Sequence, residues 1–313
     1  MLTRKRVLPI ALVAAFVAAF FALGAVSKSS PVTVGAAGSA SAVPYAAWYW
    51  TMIVAPSDPN LLVLGTNSGL FRSTDGGKSW QPTGPKNVNT TSIVQAGDSL
   101  FAAGVPGPNP VVRKGAGRTA PDGRGVFSVS TDEGKTWQTL HPTGLPSTTV
   151  QALAVDPASK GTAVYALLND GKLYRSADGA HSFQLVSPKV GIAPWALAVT
   201  DGGQLVGGDM DSGSFRSANG KAWLKVPFTD SRGGRMVMEY AVAPDDAKKV
   251  LMSSVGLELS TDAGKTWHPA LKSQVMFGPV AYAPSESNVA YAIGFDRSLW
   301  RSDDGGKTWK KLS

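Results

Sequence analysis

The sequence predicts an all-β chain folded as a six-bladed β-propeller of four-stranded antiparallel blades. Three observations carry that expectation. A turn motif of eight residues recurs along the chain, its closing aromatics fall at blade-like intervals, and long helical patterns are missing beyond the first thirty residues. The 35 glycines and 21 prolines fit a chain that turns often.

The motif is first seen as Ser73-Thr74-Asp75-Gly76-Gly77-Lys78-Ser79-Trp80 and returns from Ser130 to Trp137, Ser260 to Trp267 and Ser302 to Trp309. Two copies are degenerate: Ser176 to Phe183 reads S-A-D-G-A-H-S-F, and Ser217 to Trp223 is one residue short. The closing aromatics lie 57, 46, 40, 44 and 42 residues apart, the period of a four-stranded blade.

The third repeat shows how each blade is built. Val150 to Val155 is an inner strand ending at Asp156-Pro157, and Ala163 to Leu168 is a second strand. Asn169-Asp170-Gly171 turns the chain into a third strand, Lys172 to Arg175. The motif is the next turn, and Ser182 to Val186 is the fourth strand. Aspartate suits such a turn because its carboxylate accepts backbone N–H bonds, and glycine because it tolerates positive φ. On this reading the motif aspartates and tryptophans are scaffold. So is the arginine preceding the motif serine (Arg72, Arg175, Arg216, Arg301).

These octets resemble the Asp box of the BNR repeat, and the resemblance covers Trp48 to Ser313. Strings such as Leu70-Phe71-Arg72-Ser73-Thr74-Asp75 look most like the photosystem II stability/assembly factor group and uncharacterised bacterial sialidase-like propellers. The resemblance implies that the box turns lie on one face and ligands bind on the other. That assembly-factor group is typically seven-bladed, so the match is to the repeat.

The start of the chain stands apart. Thr3-Arg4-Lys5-Arg6 precedes an uncharged apolar run, Val7 to Val26. Residues 1–26 thus read as a signal peptide or membrane anchor, 27–42 as a flexible tether and 43–313 as the propeller. An extracytoplasmic protein is expected, secreted or anchored only through that segment. Losing Arg4, Lys5 and Arg6 from the 30 basic residues leaves 27 against 22 acidic, a mildly basic +5 that does not call for nucleic acid. There is no cysteine, which excludes disulfides, thiolate catalysis and cysteine-ligated metal. No metal-ligand spacing, phosphate loop or dinucleotide fingerprint occurs, so neither metal nor other cofactor is expected.

Candidate ligand-binding residues come from the turns of the presumed binding face. Trp48 and Trp50 enter the first inner strand and Trp195 the fourth, where they can stack on a ligand or plug the channel. An insertion in the second repeat, Gly104 to Gly125, carries Arg113, Lys114, Arg118 and Arg124. Arg232, Arg235 and Arg297 are placed on the same face, favouring an anionic protein or polysaccharide partner. Asp209 and Asp211 share a turn, and Glu239 replaces the small or apolar Thr51, Ala152, Ala196 and Pro279 of other repeats. Glu258 likewise replaces an aromatic two residues before the box. The expected function is a monomeric, non-catalytic binding propeller, with a sialidase-like or other glycoside hydrolase as the alternative. Tyr240, Glu239 and Asp209 fill part of a sialidase set. However, the R-I-P signature is absent, and adjacent strand residues 239 and 240 point to opposite sides.

Overall fold

The computed structural model describes residues 42–107, 125–146, 149–191 and 195–313, and the backbone alone of 111–113 and 117–119. Four separate sheets each have four antiparallel strands. The first is built in order from β1 (Tyr49–Val54), β2 (Leu62–Thr66), β3 (Gly69–Ser73) and β4 (Gln81–Thr83). The second takes β5 (Val88–Ala96), β6 (Ser99–Pro106), β9 (Val126–Ser130) and β10 (Gln138–Thr139), while β7 (Val111–Arg113) and β8 (Gly117–Thr119) form a small hairpin between β6 and β9. The third comprises β11 (Val150–Val155), β12 (Val164–Leu168), β13 (Leu173–Ser176) and β14 (Gln184–Ser187). The fourth comprises β15 (Ala196–Thr200), β16 (Gln204–Asp209), β17 (Gly213–Ser217) and β18 (Leu224–Val226). This is an all-β propeller of antiparallel four-stranded sheets.

The rest of the chain corrects the expectation of six separate four-stranded sheets. There β19 (Glu239–Val242), β20 (Val250–Ser260), β21 (His268–Ala283), β22 (Glu286–Gly294), β23 (Leu299–Ser302) and β24 (Lys310–Lys311) link into one six-stranded sheet, so the four-stranded sheets number four. The cause is continuity of the backbone. β21 runs for 16 residues from the end of one Asp-box turn into the next inner position, and β20 runs for 11 residues through Gly256.

The turns form for the reason read from sequence. In the first, the Ser73 hydroxyl donates to Asp75 Oδ1 at 2.8 Å and accepts from the Gly77 N–H at 2.9 Å. Asp75 also accepts from the Ser79 N–H and hydroxyl, and Trp80 Nε1 donates to the Gly77 carbonyl at 3.1 Å. Gly77 has φ +83°, a backbone conformation that favours glycine, and a Cβ there would lie 2.4 Å from Leu299 Cδ2. The short copy closes the same way, with Asn219 accepting from Lys221 and Ala222 and Trp223 Nε1 donating to Gly220. The hydrogen bond from the Thr136 hydroxyl, and then its N–H, hold Asp132 down at about 2.

Core residues lie between neighbouring sheets. Tyr49, Leu62, Leu64, Tyr291 and Ile293 meet where the start of the chain joins its end, and Val43 is buried in the same cluster. Gly278 on β21 makes that join possible, since a Cβ there would sit 2.3 Å from the Tyr49 carbonyl. Residues 1–41, read as the leader and all but the last residue of the tether, lie outside the described residues. Among the described residues no helix is long and apolar enough to cross a membrane.

Candidate functional site

Two sets of turns fix the faces. The Gly76 N–H bonds to the Asn60 carbonyl, Gly179 to Thr162 and Gly305 to Asn288, so the Asp-box turns lie beside the turns that leave the inner strands. The starts of the inner strands, with Trp48, Trp50 and Trp195, therefore lie at the other end.

A channel of about 220 Å³ runs between the inner strands. Trp50, Trp195 and Met238 line it at the end opposite the boxes, and Val54, Gln95, Val155 and Pro284 at the box end. The indoles of Trp50 and Trp195 meet across it, 5.9 Å between ring centroids and tilted by 59°. Trp48 stacks on Trp50 at 4.8 Å and 1°, and Phe295 packs edge-on against Trp48 at 5.4 Å. Trp50 is buried and donates Nε1 to Asn89 Oδ1 at 2.7 Å. Trp48 stays half-exposed. The outcome is an aromatic floor across the channel, of which Trp48 is the partly exposed member.

Sequence reasoning brought the three tryptophans together but missed Asn89 and Phe295, which hold them in place. Asn89 sits in an unmarked stretch, Val88-Asn89-Thr90-Thr91, and its burial follows only from the neighbouring sheet.

The polar residues sort differently. Glu239 is half-buried in the channel wall, and its Oε2 accepts from the Val280 N–H on the adjacent inner strand at 3.2 Å. Thr51 Oγ1 accepts from Ile93 N–H at 3.2 Å and Ser92 Oγ from Leu153 N–H at 3.0 Å. All three side chains thus satisfy an amide on the next inner strand, which accounts for a polar group in this slot. Asp209 is buried and caps its own turn, accepting from Asp211 N–H at 2.8 Å and from Ser212 N–H. Asp211 is exposed. Tyr240 is buried, donates to Ser214 Oγ at 2.9 Å and packs on Trp267. Burial raises its hydroxyl above the ordinary tyrosine value, so it stays protonated at neutral pH.

Among the described arginines, two are engaged by neighbouring oxygens. Arg297, at φ +67°, gives Nε and Nη2 to the Val43 carbonyl at 3.1 and 2.7 Å, pinning the leading segment to the propeller. Arg232 is held by Gln274 through the side-chain and main-chain oxygens. Arg235 is exposed. Arg113 and Arg118 fall on β7 and β8 with side chains outside the described set, and Arg124 lies outside the described residues. Among the described residues no group of three or more histidine, cysteine or acidic side chains is placed to hold a metal ion.

Models of the BNR/Asp-box repeat match residues 71–82 and 258–269, and a second BNR-Asp box model matches 299–312. The three matched repeats are BNR/Asp boxes. In sequence, this Asp-box propeller is 26% identical over 214 residues to a xyloglucanase of Hypocrea jecorina (strain QM6a), covering 60% of this chain and 23% of that protein. In structure it is similar to an ancestral GH74 enzyme, at 18% identity and a TM-score of 0.53, covering 84% of this chain and 40% of that one. It is also similar to YCF48 bound to D1 peptide, at 19% identity and a TM-score of 0.49, covering 87% and 81%. At 18% identity the likeness to the GH74 enzyme speaks for the fold alone.

Proposed function

We propose that the chain is an exported, non-catalytic propeller of six blades that binds a protein segment over the aromatic floor opposite its Asp boxes. Six-fold symmetry is supported by the inner strands, which neighbour one another in a closed ring, β1 to β5, β11, β15, β19, β21 and back to β1. It is supported too by the meeting of Trp50 and Trp195, which come from the first and fourth members of that ring and so stand on opposite sides of a six-fold axis.

The observation that carries the binding role is the stack of Trp48 on Trp50 above Trp195. Preordered indoles offer large apolar area at little entropic cost, which is what anchors a protein segment. The channel beneath is narrow, so a ligand lies across the mouth. Export rests on the basic and apolar leader, and binding of an anionic segment on the exposed Arg235 and the basic insertion.

A second reading, a glycoside hydrolase, is favoured by the match to a xyloglucanase. Against it, Glu239 is the carboxylate that lines the channel among the described residues, and it serves an inter-strand bond. Ordinary glycosidase chemistry needs two carboxyl groups about 5–10 Å apart.

The test uses residues 42–313 and a displayed peptide library. Segments selected on the wild type lose about tenfold or more in affinity, some 1.4 kcal/mol, with Trp48→Ala. Undiminished binding by that variant would move the site elsewhere. Release of reducing sugar from xyloglucan would favour the hydrolase.

A further inference from the structure

The fifth repeat departs from four of the others at one buried position. Two residues before the box serine they carry Phe71, Tyr174, Phe215 and Trp300, and here stands Glu258. Glu258 is only 2% exposed, and its Oε1 has no hydrogen-bond partner among the described residues. It pairs across the sheet with Pro269 on β21.

The loop from β18 to β19 is seated on this pair of strands. Ser231 N–H bonds to the Val255 carbonyl at 3.1 Å, Ser273 N–H to Ser231 Oγ at 3.4 Å, and Arg232 grips Gln274. Asp230, 6% exposed, organises the loop by accepting from the Arg232 and Gly234 N–H groups at 2.9 and 2.8 Å. A cavity of about 600 Å³ runs along the seam, lined by Thr229, Asp230, Ser231, Lys272, Ser273 and Gln274.

A buried carboxylate without a hydrogen-bond donor disfavours its charge, and a second carboxylate nearby adds to that. Burial first, then Asp230, push Glu258 up to about 7, opposed by Lys272 on β21. Those two are the charged groups acting on it, and Arg232 on the same loop is engaged by Gln274.

We propose that Glu258 and Asp230 form a pH-operated latch: with Glu258 protonated the β18–β19 loop stays seated on β20 and β21, and with Glu258 ionised the two carboxylates repel and the loop lifts. The loop continues into Met238 and Glu239 in the channel wall, so its release is felt at the channel. The sign follows from the upward shift. Stability from the neutral form is complete below the ordinary value of 4.5 and is lost as pH rises through about 7.

The experiment reads amide hydrogen exchange of Ser231 and Ser273, whose N–H groups bond across the seam, corrected for the intrinsic pH dependence of exchange. In the wild type the opening constant rises about tenfold between roughly pH 6 and pH 8. In Glu258→Gln, nearly the same shape without the charge, and in Glu258→Phe, the aromatic of the other repeats, it stays level. A level wild type, or the same rise in either folded variant, would overturn the latch.

Discussion

Glu239 shows how a residue singled out as unusual can carry a structural bond. A lone carboxylate among threonine, alanine and proline suggests chemistry, yet its oxygen meets the same kind of amide as Thr51 and Ser92 do. Val280 is buried, so truncation would strand its N–H without a partner. Glu239→Ala should cost about 1–3 kcal/mol in urea unfolding, whereas Glu239→Gln, which keeps an acceptor oxygen, should lie close to the wild type. Equal loss in both would mean that the charge itself matters. Trp267 makes the matching case in the core. It is 8% exposed and packs on Tyr240 at 5.7 Å, so Trp267→Ala should lose about 3–5 kcal/mol in a denaturation midpoint. An unchanged midpoint would contradict its place in the scaffold.

At the scale of elements, what was legible in the sequence was whatever local chemistry dictates. Asp75, Gly77 and Trp80 sit where they do because a tight turn needs an acceptor, a positive φ and an apolar lid, all within eight residues. The inner strand Val150–Val155 was readable for a similar reason, since a run of apolar residues stops at Asp156-Pro157. The joining of β20 to β21 and β22 was not readable. Whether a strand breaks between two sheets depends on the register of its neighbours, and nothing local at Lys272 to Gln274 announces continuity. Asn89 was hidden for the same reason, because its value lies in a partner 39 residues away. The arginines mark a further limit. Their charge suggested an anion site, but Arg297 spends its donors on Val43 and Arg232 on Gln274, choices that only the folded chain reveals.

Over the whole molecule, a chain without cysteine must close its ring by packing alone. It does so where Gly278 lets β21 approach Tyr49 and where Val43, Tyr49 and Tyr291 are buried together. Closure leaves two unlike faces. One carries the repeated, hydrogen-bonded boxes, whose uniformity leaves little to recognise. The other carries the single aromatic floor of Trp48, Trp50 and Trp195, which the remaining repeats do not copy. Backbone hydrogen exchange on residues 42–313, with and without a library-selected protein segment, tests which face binds. New protection is expected around Trp48 to Thr51 and Ala196 to Leu197 and none at the box turns. Protection confined to the box turns would contradict it.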